Sequence, residues 1–544
     1  MTGSVTEEAP AQVCIVGAGA AGGLLCRLLA EAGLDVVVLE AGPWYADPRA
    51  EFAEDELAMQ KTWWPESQYS ISGNARRGRL SSGYGVGGGT LVWTGAAFRL
   101  LDDDFRVLSL DGQLPGASIA DWPTSAAEMA SYYDATEAHV GVAGALGPWD
   151  PPDRKPYPLP PHGLHHHSVV LRAGFTRLGL RAHPGPMAIA SRPRPNREAC
   201  CYCGFCIQGC RTGAMYSPAT AELPWALATG RLRLRPGAVA LRVATTADGA
   251  TAESVEYGYR PDGSRHRQPA EVVVVASNPL EIPRLLLNSR SAAHPAGLAN
   301  SSDQVGRHLM NHPSAYAWGV FDEDMKPWEG FVLNHLCCLD YARTRPEHPF
   351  IRGFIMETTT GLPVNVATSV TADYWGAPHK ALMRSYRQLA GLFTICEGIP
   401  SPTNRVTTRP EALDEWGMPR AHLHYDWHMN DVRMMDWAFE KSAEVLRAAG
   451  ARQILRPPPV QVHMMGTARM GDDPRCSVTS ADGQSHDVPN LYVAGGALFP
   501  TGSCVNPTLT ILALAWRTAE HIARRFGKTL QTTLTPLPAG AAPR

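Results

Sequence analysis

The sequence lacks any apolar stretch long enough to cross a bilayer. A membrane-spanning helix needs at least about 18 consecutive apolar residues, and no uncharged apolar run in this 544-residue chain reaches that length. The first residues, MTGSVTEEAPAQVCIVGAG, also lack the basic segment and following apolar segment of a secretory signal peptide. We therefore expect a soluble protein, and a cytoplasmic one unless a partner subunit exports it.

The sequence also lacks an excess of positive charge. Its 49 Lys and Arg residues against 52 Asp and Glu residues give a net charge of -3. A nucleic-acid-binding protein needs a basic face, so nucleic acid is excluded as a partner. Hydrophobic residues make up 44% and charged residues 19% of the chain, which is the balance of an ordinary enzyme with two or more domains.

Cysteine is sparse outside one short segment. Cys14 and Cys26 lie in apolar strand-like and helix-like stretches, where cysteine acts as a small hydrophobe. Five of the 12 cysteines are crowded into CCYCGFCIQGC, residues 200–210. The chain has no Cys-x-x-Cys-His motif, so any c-type haem belongs to another polypeptide.

A dinucleotide-binding βαβ unit is present near the N-terminus. A short apolar run precedes Gly17, Gly19 and Gly22, and after a helix-like stretch a second apolar run ends in Glu40. The first glycine permits a tight turn, the second lets the backbone approach a pyrophosphate, and the third allows close packing of helix on strand. Glu40 stands where a carboxylate accepts hydrogen bonds from a ribose.

Further nucleotide-fold segments lie far along the chain. Residues 83–99 are glycine-rich, residues 271–289 predict a buried strand and a helix, and residues 490–522 predict a strand, a glycine-rich turn and a helix. A nucleotide fold assembled from both ends of a chain suits a large, permanently held flavin dinucleotide.

These segments give the sequence a specific resemblance to the glucose-methanol-choline oxidoreductases, an FAD-dependent family that acts on alcohols and sugars. The matching segments, in order, are the βαβ unit, GVGGGTLVW, VVVVASNPLEIPRLLL, VGRHLMNHP, HMMGTARMG and CVNPTLTILALA. The resemblance implies a mixed α/β fold, α+β overall. It has a Rossmann-like FAD-binding domain built from discontinuous segments and a substrate domain with an antiparallel sheet.

The order of these segments implies the following domain division. The FAD-binding domain takes residues 1–100, 196–313 (with the cysteine segment) and 456–544 (with the catalytic residues). The substrate domain takes residues 101–195 and 314–455, and the proline-rich residues 148–163 form an extended connector.

The resemblance also implies the residues that contact FAD. Besides the βαβ unit, they are Gly87, Gly88, Thr90, Trp93, Val239, Ala276, Gly495, Ala497, Pro507 and Thr508. Some members of the family link FAD covalently through a His in the second glycine-rich segment, but residues 90–93 here contain none, so we expect non-covalent FAD. Gly495 and Gly496 stand where many members carry Asp, so a flavin contact there must come from the backbone.

Oxidation of an alcohol by flavin needs a base for the hydroxyl proton, and histidine titrates in the right range. His463 begins a segment that resembles the catalytic-histidine segment of the family, and Asn506 stands where the family places a second His or an Asn. The resemblance therefore implies His463 as general base and Asn506 as the residue that orients the substrate oxygen. We expect His312 to be a packing residue and residues 165–167, three consecutive histidines, to lie in a loop.

The cysteine segment allows several interpretations from the residues alone. Five thiols among polar neighbours do not suit buried hydrophobes, a disulfide is disfavoured without a signal peptide, and zinc usually takes two Cys-x-x-Cys pairs where only Cys203 and Cys206 form one. Closely spaced thiolates on a tight loop favour an iron–sulfur cluster.

The resemblance indicates the type of cluster and its ligands. The segment resembles that of the catalytic subunits of bacterial FAD-dependent glucose dehydrogenases, which hold a 3Fe-4S cluster, and this implies Cys200, Cys206 and Cys210 as ligands. Cys203 is an additional thiol that serves as a fourth ligand, replaces one of the three or is idle, and a 4Fe-4S cluster is the alternative to 3Fe-4S. Those relatives work with a small chaperone-like subunit and a cytochrome c subunit, and such a partner would bring this chain to the periplasm.

The sequence therefore predicts an FAD-dependent dehydrogenase that oxidises a hydroxyl group of a sugar or polyol and passes electrons through the cluster to an external acceptor. Two other functions stay open. One is an alcohol oxidase that uses oxygen and has inert cysteines, and the other is a redox-neutral flavoprotein lyase on the same scaffold.

Overall fold

The computed structural model describes residues 5–63, 69–74, 82–371 and 373–531 of the chain. The strands of the described residues are β1 (Thr6–Glu7), β2 (Ala11–Val16), β3 (Val36–Glu40), β4 (Tyr69–Ser72), β5 (Leu232–Pro236), β6 (Ala238–Thr245), β7 (Ala252–Tyr259), β8 (Ser264–Val275), β9 (Met310–Val320), β10 (Leu333–Cys338), β11 (Phe354–Thr359), β12 (Leu389–Cys396), β13 (Arg405–Leu413), β14 (Pro419–His424), β15 (Gln453–Leu455), β16 (Val460–Met465) and β17 (Leu491–Val493). The α-helices are α1 (Ala20–Glu31), α2 (Pro48–Glu51), α3 (Val107–Asp111), α4 (Ala126–Val140), α5 (His166–Arg177), α6 (Pro218–Ala221), α7 (Leu223–Ala228), α8 (Glu281–Asn288), α9 (Pro363–Asn365), α10 (Gly376–Arg384), α11 (Met429–Ala449) and α12 (Thr508–Arg525).

The first sheet is the nucleotide-binding sheet. Its parallel part has the order β5-β3-β2-β8-β17, so strands from the two ends of the chain lie on either side of β8. β2, β3 and the C-terminal end of β8 are rich in valine, and β3 is buried along its whole length. A parallel sheet covered on both faces has this composition. The N-terminal half of β8 continues into an antiparallel extension formed by β7 and β6.

Helix α1 follows the first glycine turn and packs against α12 from the other end of the chain. The leucines of α1 are buried on its inner side, and Cys14 and Cys26 are fully buried here, which confirms them as small hydrophobes. The nucleotide-binding half of the molecule is therefore a single core made from sequence-distant segments.

The second sheet is antiparallel and has the order β10-β11-β12-β9, with β15 and β16 both pairing with β9. One face packs on α11, which in turn contacts α5. This sheet, together with the parallel one, confirms the predicted fold class. β9 crosses the boundary at 313/314 inferred from the sequence, and β16 lies beyond the boundary at 455/456, so this sheet contains residues assigned from the sequence to both domains.

A small third sheet joins β13 and β14 to β4. The predicted connector, residues 148–163, contains no helix or named strand. One expectation is wrong: His166 and His167 begin helix α5 rather than lying in a loop, and only His165 precedes it as the N-cap. No helix in the described part of the chain is long and apolar enough to cross a membrane.

Candidate active site

A cavity of about 740 Å³ is lined by residues of both large sheets. Gly17, Gly19 and Glu40 line it on the nucleotide-binding side, and His463 and Asn506 also line it. Ligand sites of enzymes commonly have this size, roughly 300–1,000 Å³. The predicted dinucleotide motif and the predicted catalytic pair therefore belong to one cavity.

The backbone of two glycine-rich segments forms a narrow cradle in this cavity. Gly17 has φ +101°, a conformation that favours glycine, and a Cβ added at Gly88 would lie 2.9 Å from the Cα of Gly19. The amide of Gly87 donates a hydrogen bond to the Ala18 carbonyl at 2.9 Å, which ties the two segments together. Side chains are excluded here, and this leaves room for the pyrophosphate of a dinucleotide to approach the protein backbone closely.

Gly22 has the packing role expected of the third glycine. A Cβ at this position would lie 1.9 Å from the Gly17 carbonyl oxygen. Gly22 does not line the cavity itself, and neither do Gly87 and Ala497. The other predicted cofactor contacts all line it: Gly17, Gly19, Glu40, Gly88, Thr90, Trp93, Val239, Ala276, Gly495, Pro507 and Thr508.

Glu40 ends strand β3 and is held by backbone donors. The amides of Ala18 and Gly42 donate hydrogen bonds to its two carboxylate oxygens at 2.9 and 2.8 Å. Burial nevertheless raises its pKa to about 7. Its lining position suits the predicted contact with a ribose, which stays a prediction.

His463 lies in β16 and adopts φ +59°, which few non-glycine residues do. Its Nδ1 lies 2.9 Å from Nδ1 of His312, and Nε2 of His312 lies 3.2 Å from the carbonyl oxygen of Gly502. His312 is therefore part of the site rather than a packing residue alone. The sequence could not reveal this pairing, because it depends on the register between β9 and β16.

These contacts fix the proton positions on both rings. The Gly502 carbonyl only accepts, so the proton of His312 is on Nε2 and its Nδ1 accepts a hydrogen bond. Nδ1 of His463 must then donate that bond, which leaves Nε2 of His463 without a proton. Burial lowers the pKa of His312 to about 4. Burial and the neighbouring His312 hold the pKa of His463 well below its usual value. Both rings are neutral at physiological pH.

Asn506 is 3% exposed, and its Oδ1 has no hydrogen-bond partner among the described residues. The preceding loop is anchored by Ser503, whose hydroxyl donates to Asp104 at 2.6 Å. Asp104 is in turn paired with the buried Arg352, which also donates to Glu397 at 2.9 Å. A buried ionic cluster thus holds the loop that presents Asn506.

The second sheet supplies another part of the cavity wall. Tyr316, Trp318, Phe393 and Thr359 line the cavity from β9, β12 and β11. They alternate along their strands with residues that face α11, such as Ala317 and Leu392. The alternation was visible in the sequence only as short apolar runs, so these lining residues were not identified from it.

The five clustered cysteines surround a smaller cavity of about 220 Å³. Backbone amides of Tyr202 and Met215 lie 3.4 Å from the sulfur atoms of Cys200 and Cys210 as donors. All 12 cysteines are free thiols in the structure, and burial raises the pKa of Cys200 to about 12. No group of three or more His, Cys, Asp or Glu side chains in the described ranges is arranged to hold a metal ion.

One short turn connects the two cavities. Cys206 begins a 3₁₀ turn that ends at Gln208. Cys206 lines the cysteine cavity, whereas Ile207 and Gln208 line the large cavity. The cysteine segment therefore lies directly against the wall of the larger site.

The fold and the cavity have the architecture of a dinucleotide-binding protein, with His463 in the cavity wall. Two family models describe the chain: the N-terminal part of the GMC oxidoreductases matches residues 11–314, and the C-terminal part matches residues 400–515. The chain belongs to the GMC oxidoreductase family and is an FAD-dependent oxidoreductase.

The chain is similar along almost its entire length to proteins of known activity. It is 33% identical to 2-methyl-1,2-propanediol dehydrogenase of Mycolicibacterium austroafricanum, covering 98% of both chains. It is 29% identical to the large subunit of fructose dehydrogenase of Gluconobacter japonicus, over 95% of this chain and 98% of that one. The crystal structure of pyridoxine 4-oxidase from Mesorbium loti superposes with a TM-score of 0.66 at 18% identity, over 94% of this chain and 99% of that one, and so shares its fold.

Proposed function

We propose that the protein is a dehydrogenase that oxidises a hydroxyl group of a sugar or polyol, with His463 as the general base and non-covalently bound FAD as the hydride acceptor. The observation that carries this proposal is the hydrogen-bond chain from Gly502 through His312 to His463, which leaves the Nε2 atom of a neutral imidazole unprotonated. The two similar dehydrogenases support the choice of substrate, since one is named for a diol and the other for fructose.

The protein groups divide the chemistry between them. His463 accepts the hydroxyl proton at Nε2, and the side-chain amide of Asn506 donates a hydrogen bond to the substrate oxygen and fixes its orientation. FAD, when bound, supplies at N5 the acceptor for the hydride that leaves the carbon. The glycine cradle fits its pyrophosphate, and the absence of His from residues 90–93 supports non-covalent binding.

We further propose that Cys200, Cys206 and Cys210 hold an iron–sulfur cluster of the 3Fe-4S type, which supplies a one-electron exit from the site. The cavity volume, the amide donors to two sulfur atoms and the contact with the flavin cavity support this assignment. The thiols line one cavity but are not already arranged as a ligand group, so the proposal requires them to rearrange when the cluster binds. Cys203 lines the same cavity and is the candidate for a fourth ligand.

The proposed acceptor is a separate cytochrome c subunit, and a small chaperone-like subunit is the proposed partner for assembly and export to the periplasm. The similarity to a chain named as a large subunit supports a multi-subunit enzyme.

Iron and sulfide analysis of anaerobically purified protein tests the cluster. We expect both elements in wild type and their loss in Cys206→Ser, while Cys201→Ser, a change at an exposed neighbour, retains them. Wild type without iron and sulfide after anaerobic reconstitution contradicts the cluster.

The acceptor is tested with purified holoenzyme and a compound that the enzyme converts to product. We expect fast turnover with a one-electron acceptor such as ferricyanide and slow formation of hydrogen peroxide. Peroxide formed at the full turnover rate would instead identify an oxidase. Flavin that stays oxidised while product forms under anaerobic conditions without an added acceptor would identify a redox-neutral lyase.

A further inference from the structure

A buried acid lies beside the proposed catalytic pair and has no place in the mechanism above. Glu357 is 0% exposed, and neither of its carboxyl oxygens has a hydrogen-bond partner among the described residues. A buried carboxyl without a partner costs free energy, so a retained one calls for an explanation.

The register of the second sheet shows where this side chain points. Glu357 of β11 pairs directly with Phe393 of β12, and Phe393 pairs directly with Tyr316 of β9. Directly paired residues project from the same face of a sheet. Because Phe393 and Tyr316 line the large cavity, Glu357 projects from the face of the sheet that forms the cavity wall.

The group that meets Glu357 on this face is the amide of Asn506. The side chain of Asn506 comes close enough to Glu357 for a hydrogen-bonding effect that lowers the pKa of Glu357 and opposes the larger effect of burial, although no hydrogen bond of standard geometry joins the two side chains. Oδ1 of Asn506 is itself buried and without a partner. A carboxyl and an amide oxygen, both buried and both without a partner, therefore belong to neighbouring side chains.

We propose that Glu357 is the positioning residue for Asn506: its neutral carboxyl donates a hydrogen bond to Oδ1 of Asn506 and thereby holds the NH₂ group of that amide toward the substrate oxygen. This inference rests on the proposed function. It gives Oδ1 of Asn506 a hydrogen-bond donor and gives the carboxyl of Glu357 an acceptor. It also determines that the NH₂ group of Asn506, rather than its oxygen, points toward the substrate.

The surroundings keep the carboxyl neutral. Burial raises the pKa of Glu357 to about 8. The titratable groups that face it are Cys337 of β10 and Tyr316 of β9, and both are neutral because burial raises their pKa values. Phe393 of β12 contributes only an apolar ring. A neutral carboxyl is a hydrogen-bond donor, whereas a carboxylate only accepts.

Three variants test the role in catalysis by anaerobic flavin reduction. Glu357→Leu removes the donor, and we expect the limiting rate to fall about tenfold, the factor expected for one lost hydrogen bond, with FAD content unchanged. Glu357→Gln keeps an N–H donor of similar shape and should restore most of the rate. Cys337→Ala removes a buried side chain from the same row of the sheet and should react like wild type.

The pH profile separates positioning from packing. Wild type should lose rate as the pH rises through about 8, because the ionised carboxyl cannot donate, whereas Glu357→Gln should not show this loss. In an Asn506→Ala background, Glu357→Leu should have no further effect, since the two residues act as a unit. An unchanged rate in Glu357→Leu, a Gln variant as slow as Leu, or full additivity with Asn506→Ala would overturn the proposal.

Thermal unfolding gives a readout that needs no substrate. The pKa of Glu357 is about 8 in the folded protein and 4.5 when exposed, so between these values the folded protein holds a proton that the unfolded chain has released. The contribution of Glu357 to stability therefore decreases as the pH rises through this interval. The melting temperature of wild type should fall relative to that of Glu357→Gln over the same interval.

The substrate and unfolding results distinguish two failures. A wild-type flavin that no hydroxyl compound reduces contradicts the proposed function. A difference in melting temperature between wild type and Glu357→Gln that stays constant across this pH interval contradicts the claim that the carboxyl of Glu357 is neutral in the folded protein.

Discussion

At the scale of single residues, the site depends on where two protons sit. In the proposed mechanism His463 accepts a proton at Nε2, which requires that atom to carry none. The contact of its Nδ1 with His312 favours this tautomer. The Gly502 carbonyl fixes the ring of His312 in turn. A backbone carbonyl, which cannot donate, thus determines the tautomer of a histidine two contacts away.

Replacing His312 tests this chain. His312→Phe removes the acceptor for Nδ1 of His463, so both tautomers of His463 become populated and the flavin-reduction rate should fall by about tenfold or more. His312→Gln retains a carbonyl oxygen that accepts the bond, and we expect partial recovery. Stopped-flow measurement under anaerobic conditions compares the two, and equal rates for wild type and His312→Phe would contradict the chain.

The lowered pKa of His463 also predicts how the rate of flavin reduction depends on pH below neutrality. Burial and the neighbouring His312 hold the pKa of His463 well below its usual value of 6.5. The neutral, proton-accepting form therefore persists as the pH falls through that value, and the rate of flavin reduction should stay level there. A loss of rate centred near the usual imidazole pKa would show that its surroundings do not keep His463 neutral or that it is not the base.

At the scale of elements, the glycine turn between β2 and α1 has two roles: it forms part of the cofactor cavity and it allows α1 to pack closely against the turn. The carbonyl of Gly17 leaves no room for a side chain on Gly22 of α1. This packing was predictable, because the spacing of the three glycines after a strand has one steric interpretation.

A substitution at Gly22 measures that packing. Gly22→Ala forces the helix away from the strand and should lower the free energy of unfolding by about 1–3 kcal/mol, with weaker retention of FAD. Gly163→Ala is the control, since a Cβ at Gly163 meets nothing within 4 Å and its φ is not positive. Chemical denaturation and the flavin content of the purified variants are the measurements. Wild-type stability and flavin content in Gly22→Ala would contradict the packing role.

At the scale of the whole molecule, the sequence could predict what local motifs encode. The glycine turns, the flanking strands and the segment around His463 identify the two-part nucleotide fold and the α/β architecture. The pairings of His312 with His463 and of Glu357 with Asn506 could not be predicted, because each joins segments about 150 residues apart along the chain. They depend on strand register, including a bulge between Val462 and Met465 in β16.

The helix at residues 166–177 escaped prediction for a different reason. Its first residues are histidines that follow a proline-rich stretch, and its helical character comes from packing against α11 rather than from a strong local pattern. Tertiary contact determined the structure here, as it often does for helices of weak amphipathic character.

The central claim is that this GMC oxidoreductase oxidises a hydroxyl group by means of His463. The most direct measurement is anaerobic reduction of the bound flavin by a panel of sugars and polyols, in wild type and in His463→Ala. We predict that at least one compound bleaches the visible flavin absorbance of wild type, and that the variant retains FAD but is reduced at least about 100-fold more slowly. Reduction of the variant at the wild-type rate would contradict the claim.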